Sequence, residues 1–192
     1  MGLYFAKGKK LWKNNLKTTG VLYLKEFKEL YDIGIDLDEY MKSGDNAVRE
    51  SMIDKCKNIY INGRRTRAIE AVSKKVHMLI FADMNCPDCA VVLPIIEKMR
   101  SLNENIAYKI VKMTEYKDKM NDLFGEAKVP TIVIMDEQFR MIGLYIEFTK
   151  NLRNLQRTMD KNMFKKVVER FRTGEFDKYV VDDILTCISI SI

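Results

Sequence analysis

Between Val21 and Tyr60 the apolar residues recur at helical spacing, as Leu24, Phe27, Leu30 and Tyr31 and then as Val48, Met52, Cys56 and Ile59. Ser43-Gly44-Asp45 interrupts the run as a turn with an N-cap, so two helices are predicted. A short third helix is predicted from Thr66 to Lys75, with Ala68, Ile69 and Val72 facing inward. The pattern changes at Val76. Val76 to Ala82 is a nearly unbroken apolar run that reads as a buried strand, ending at Asp83-Met84-Asn85. A helix should follow from Cys86, with Pro87 at its first position, Val91, Val92, Ile95, Ile96 and Met99 on its apolar face and Pro94 as a kink. Downstream the reading is a strand at Ile106–Met113, a helix at Thr114–Phe124 closed by Gly125, a strand at Thr131–Met135 and a strand at about Phe139–Phe148. One long helix from Thr149 is predicted to carry the stripe Leu152, Leu155, Met159, Met163, Val167 and Phe171 as far as Gly174. Phe176, Tyr179, Val180, Ile184 and Cys187 mark a final helical piece.

Composition narrows the chemistry. With 47% apolar and 31% charged residues in 192, the chain is expected to fold around one core of domain size. Its apolar runs fall short of the roughly 18 to 20 residues a membrane span needs, so no membrane partner is expected. A single histidine excludes multi-histidine metal and acid/base centres, leaving thiol, carboxylate, lysine or hydroxyl chemistry. The net charge of +6 raises the question of nucleic acid. Lys7, Lys9, Lys10, Lys13 and Lys17 lie in the first twenty residues without an acid among them, so the excess is local and no nucleic-acid partner is expected. Tyr4, Phe5 and Trp12 in that stretch are expected to pack on the domain. No apolar segment follows these lysines as in a secretory signal, which makes a cytoplasmic location the expectation. Closely spaced cysteines in that reducing setting point to catalysis or metal binding rather than to a structural crosslink.

Cys86-Pro87-Asp88-Cys89, on the first turn of a helix that follows a buried strand, is the constellation with a mechanism attached. A thiol at a helix start meets unpaired backbone N–H groups and the positive end of the helix dipole, which favour its thiolate. Cys86 is therefore the expected attacking thiol. Cys89, one turn on, is placed to attack a mixed disulfide on Cys86 and resolve it. Asp88 suits a helix start but opposes a thiolate beside it.

These residues resemble the thioredoxin superfamily. The strand before the motif, Pro94, the Val129-Pro130-Thr131 tripeptide and the hairpin and helix after it follow in the family's order over about Thr66 to Phe171. The motif itself is similar to that of thioredoxin-related proteins with Cys-Pro-Asp-Cys and of bacterial thioredoxin-like proteins with a helical N-terminal extension. The resemblance implies an α/β thioredoxin-like fold, a mixed sheet flanked by helices, with an added N-terminal helical region. It also implies a cis peptide at Pro130 facing the cysteines, with Val129 and Thr131 receiving an extended substrate segment and Pro87, Asp88 and Pro130 supporting the pair. Three positions depart from the family: Ile80 stands where thioredoxins bury an aspartate, Asn85 replaces the tryptophan before the first cysteine, and Ile146-Glu147-Phe148 replaces the glycine-containing loop.

The expected organisation is a basic and helical region over 1–62, a thioredoxin-like core over 63–172 and a C-terminal helical piece over 173–192. Two functions are open. One is a thiol-disulfide oxidoreductase acting on disulfide-containing proteins or small thiols, with an unidentified electron donor and no cofactor or metal residues assigned. The other is a protein-binding module whose cysteines sense redox state. Cys56 and Cys187 lie on apolar helical stripes and are expected to be buried and inert, and His77 is given no role.

Overall fold

The apolar run Val76–Ala82 forms β1, the strand around which a four-stranded mixed sheet is built in the order β2-β1-β3-β4. The computed structural model describes residues 16–189, with side chains from residue 25 onward. The lysine-rich stretch with Tyr4, Phe5 and Trp12 lies outside the described residues. Strand β2 (Ile106–Lys112) pairs with β1 in parallel, whereas β3 (Thr131–Met135) pairs with β1 and β4 (Met141–Ile146) with β3 in antiparallel register. The parallel pair requires a crossover, supplied by α5 (Cys89–Leu102). Because side chains alternate across a strand, β1 feeds two cores. Met78, Ile80 and Ala82 join Ile132, Ile134 and α5 on one face, while Leu79 and Phe81 join Val133 and Met135 on the other.

The helices divide between these faces. Phe27 and Leu30 of α1 (Leu16–Ile33) and Met120 of α6 (Met113–Phe124) cover the second. The first receives α2 (Leu37–Lys42), α3 (Asn46–Asn58), α4 (Gly63–Glu70) and α9 (Asp177–Ser189). Layers on both sides of a mixed sheet make this a thioredoxin-like α/β fold with extra helices.

The N-terminal region holds one helix more than predicted. Gly34-Ile35-Asp36 breaks the first run, and Ile35 exchanges two 2.9 Å backbone hydrogen bonds with Ile110 on the outer edge of β2. A side chain at Gly34 would fall 2.7 Å from Lys109 Cβ, so the close approach needs glycine. Asp36 then caps α2 and Asp45 caps α3, each through a 2.8 Å carboxylate bond to a backbone N–H. Helix α4 starts earlier than predicted, capped by Asn62, and leaves Ala68 exposed while Ile69 and Val72 are buried.

Two further elements are shorter than the pattern implied. Strand β4 loses both predicted ends because Phe139 and Glu147 take left-handed backbone angles, φ 59° and 58°, that no strand continues through. The long C-terminal helix is two, α7 (Lys150–Thr158) and α8 (Lys161–Arg172), because the Asp160 carboxylate accepts from Asn162 N–H at 2.9 Å and Met163 N–H at 3.2 Å and starts a new helix. The break rephases the stripe. Met163 is 59% exposed, and Phe164 packs on the core instead.

Helix α9 lies against β4 at Gly143, where a methyl group would fall 2.4 Å from Cys187 Cβ and 2.7 Å from its sulfur. We expect Gly143→Ala to lower the unfolding free energy by about 1–3 kcal/mol, since neither backbone can move without disturbing a packed layer. Urea unfolding checks this; an unchanged midpoint would mean that α9 is not seated on β4 as described.

Candidate active site

Strand β1 ends at Ala82, and the Asp83 carboxylate shapes the turn after it by accepting from Asn85 N–H at 2.8 Å while its carbonyl accepts from Cys86 N–H at 3.0 Å. Regular helix begins at Cys89, three residues later than predicted. The first turn is nevertheless wound from Cys86, whose carbonyl accepts from Ala90 N–H at 3.2 Å and whose sulfur accepts from Cys89 N–H at 3.4 Å. Cys86 Sγ thus takes the place of a capping side chain, and Pro87, which has no N–H, follows it where no donor is needed.

The two thiols differ in environment. Cys86 is half-buried, and its pKa is lowered from the ordinary cysteine value. The largest cause is the hydrogen bond from the Cys89 side chain; backbone N–H groups of Cys89 and Asp88 add to it, while burial and the charge of Asp88 oppose. Cys89 is buried and its pKa is pushed well above the ordinary value, first by burial and then by facing Cys86. The first thiol ionises more readily than the second.

Antiparallel pairing of β1 with β3 sets Phe81 opposite Thr131 and so brings the start of β3 beside the motif. The Val129-Pro130 peptide bond is cis. The Cys86 thiol donates to the Val129 carbonyl at 3.4 Å, and Pro130's own carbonyl accepts from Glu147 N–H at 2.8 Å. Lys128 braces the loop through Glu147 at 3.1 Å and Glu126 at 3.4 Å. Cys86, Cys89, Pro87, Asp88, Val129 and Pro130 are therefore together at one end of the sheet.

Thr131 is the exception to the predicted set. It is buried, its hydroxyl donates to Lys128 O at 2.7 Å, and its backbone is paired with β1 on one side and β4 on the other. Its hydroxyl and both strand edges are thus engaged within the protein. Its neighbour Val129 is outside the strand and half-buried.

Asp88 does not act as a helix cap; its side chain makes no bond to the helix N-terminus. It is buried and paired with Arg172 at the end of α8. Arg172 was missed in the sequence because 84 residues separate the partners and nothing in the periodicity of α8 links them. Tyr40 was missed too. This fully buried phenol of α2 finds no hydrogen-bond partner among the described residues, and its pKa is raised first by burial and then by the negative charge that Cys89, Asp83 and Cys86 would carry.

The remaining singled-out residues lie on other elements. His77 is the second residue of β1, at the end away from the motif, stacked on Phe139 with ring centres 4.2 Å apart and with its pKa lowered, chiefly by burial. Cys56 and Cys187 are half-buried rather than buried; burial raises the first thiol to about 11 and raises the second as well. Among the described residues no three His, Cys, Asp or Glu side chains are grouped as metal ligands, and no helix is long and apolar enough to cross a membrane.

The sequence profile of a family described as Thioredoxin matches residues 34–162. The chain belongs to the thioredoxin family. The match starts at Gly34, so the family region takes in the bridge at Ile35 and helices α2 to α4 as well as the sheet. A crystal structure of a protein of unknown function from Pseudomonas aeruginosa superposes on this thioredoxin-family chain with a TM-score of 0.75 at 18% identity, covering 86% of this chain and 98% of that one. An HIV epitope-scaffold crystal structure matches with the same score, identity and coverage. At that identity the likeness is one of fold. No curated protein matches the chain.

Proposed function

We propose that this protein is a thiol-disulfide oxidoreductase that reduces disulfides with Cys86 as the attacking and Cys89 as the resolving thiol. The observation that carries the reading is the Cys86 sulfur, half-buried at the motif turn, with its pKa lowered beside a Cys89 whose pKa is raised. The Cys86 thiolate attacks one sulfur of a substrate disulfide, forming a mixed disulfide as the other sulfur leaves and takes a proton. Cys89 then gives up its proton and attacks Cys86, closing the Cys86–Cys89 bond and releasing the second substrate thiol. Two electrons pass from the protein dithiol to the substrate, and an external dithiol restores the reduced pair.

In this reading the chain groups with bacterial thioredoxin-like proteins that carry an N-terminal extension; the Cys-Pro-Asp-Cys motif and the helices ahead of it support this. Residues 63–172 are the catalytic core, 1–62 and 173–192 are elaborations of it, and the substrates are disulfide-containing proteins or small disulfides in a reducing compartment. Support for an extended substrate segment at Val129 comes from its position beside Cys86 and outside the paired strand.

Trapping tests the reading. With Cys89→Ser, a protein disulfide substrate should accumulate as an adduct on Cys86, visible as a mass increase that dithiothreitol removes. Recovery of the variant without an adduct, with Cys86 unreacted, would favour a binding module whose cysteines do not turn over.

A further inference from the structure

Asp88 is an awkward residue for the chemistry just proposed. Its side chain is only 7% exposed and it stands between the two cysteines, so an unpaired negative charge there would be costly in itself and would repel a thiolate on Cys86. Arg172 answers both difficulties. Its Nε donates to one carboxylate oxygen at 2.7 Å and an Nη to the other at 3.2 Å, a two-pronged pair that fixes the guanidinium in orientation as well as in distance. The Arg172 side chain is 41% exposed, while the carboxylate it holds is buried.

Its position is set by the core. The preceding residue, Phe171, is fully buried and packs edge-on against Phe148 with ring centres 5.4 Å apart. Phe148 directly follows Glu147, whose N–H holds the Pro130 carbonyl. Helix α8 stops at Arg172, with Thr173 capping it and Gly174 turning the chain. One short segment thus meets the cis-proline loop through an aromatic contact and the cysteine motif through an ion pair.

We propose that Arg172 is a positioning residue for Cys86: it closes Asp88 into an ion pair and so keeps that carboxylate from repelling negative charge on the attacking sulfur. The proposal rests on the oxidoreductase reading of Cys86. The charged and titratable groups on the segments around the sulfur are Cys89 and Asp88 on its own segment, Asp83 in the loop before it, Tyr40 from α2, Arg172 from α8, Glu147 after β4 and Lys128, which precedes Val129 and pairs with Glu147 at 3.1 Å. Arg172 is the cation bound to Asp88, whereas Lys128 is held by Glu147 and Glu126. The pKa of Arg172 is raised, first by its bond to Asp88 and to a lesser degree by negative charge at Cys86, the direction expected if the two attract.

The test is the pH profile of Cys86 alkylation in the reduced full-length chain, followed by iodoacetamide labelling and mass analysis of the Cys86 peptide. A thiolate reacts and a thiol does not, so the rate rises with pH through the Cys86 pKa. Arg172→Met should move the midpoint up by roughly half to one pH unit, slowing alkylation near neutrality about three- to tenfold. Asp88→Asn should move it down, Arg172→Lys should leave it close to wild type, and the Arg172→Met/Asp88→Asn double variant should return toward wild type. Opposite shifts that cancel are a charge effect. Equal upward shifts in both single variants, or a double variant displaced further than either, would mean that the pair only braces the loop and would overturn the proposal. Should Arg172→Met fail to fold, Asp88→Asn alone decides, since a midpoint that stays or rises contradicts the proposal. The two readings fail separately: a wild-type midpoint at the ordinary cysteine value overturns the oxidoreductase reading itself, whereas a low wild-type midpoint untouched by any variant overturns only the role of Arg172.

Discussion

Cys86→Ser should reduce disulfide turnover to the rate of dithiothreitol alone, while Cys56→Ser and Cys187→Ser should keep wild-type rates. The contrast follows from their environments. Cys86 is accessible and has a lowered pKa, whereas burial raises the pKa of both other thiols and leaves them nearly all protonated near neutrality. A serine hydroxyl at position 86 would take the same contacts from Cys89 N–H and to the Val129 carbonyl, so the fold should survive and the loss should be chemical. Turnover of a protein disulfide such as insulin, read as precipitation of its freed chains, measures it. Equal rates for Cys86→Ser and wild type would end the assignment, and loss in the Cys187 variant alone would relocate the chemistry to α9.

The second large effect is on stability. Phe171→Ala should cost about 3–5 kcal/mol, a large share of the roughly 5–15 kcal/mol by which a domain is held folded. Phe171 has no exposed surface and packs on Phe148, so truncation leaves a cavity under the loop that carries Glu147 and removes the anchor of Arg172. Met163→Ala on the same helix is the control. It removes an exposed side chain and should change stability by no more than about 0.5 kcal/mol. Chemical unfolding of both variants checks the pair of values; a loss below about 1 kcal/mol for Phe171→Ala would mean that α8 is not packed into the core.

What could be read beforehand, and what could not, divides on the range of the interaction. Val76–Ala82 and Thr131–Met135 are apolar apart from His77 and Thr131 because each is covered on both faces, and their limits are those the pattern predicts. The end of α6 is equally local: Gly125 adopts φ 80°, which the sequence marks with the residue that tolerates it. Breaks were harder. Gly34 is there because β2 passes beneath it, a fact of tertiary contact. Asp160 was a legible N-cap obscured by an apolar stripe that continued past it. At the site, the cysteines were legible from their spacing and Val129-Pro130 only through the family resemblance, whereas Arg172 and Tyr40 were not legible, because each reaches the motif from an element distant in sequence. The bond from the Thr131 hydroxyl to the Lys128 carbonyl was equally hidden in the sequence.

The single-residue contact between Ile35 and Ile110 bears on solubility. A strand at the margin of a sheet offers a row of unsatisfied peptide groups to which a second molecule can add, the usual first step of self-association. At Ile110, in the middle of β2's outer half, both outward groups are already taken by Ile35, and Gly34 sits against Lys109 beside it. An incoming strand would have to skip that position, which breaks the regular ladder it needs. The segment ahead of the sheet therefore guards its margin with two hydrogen bonds.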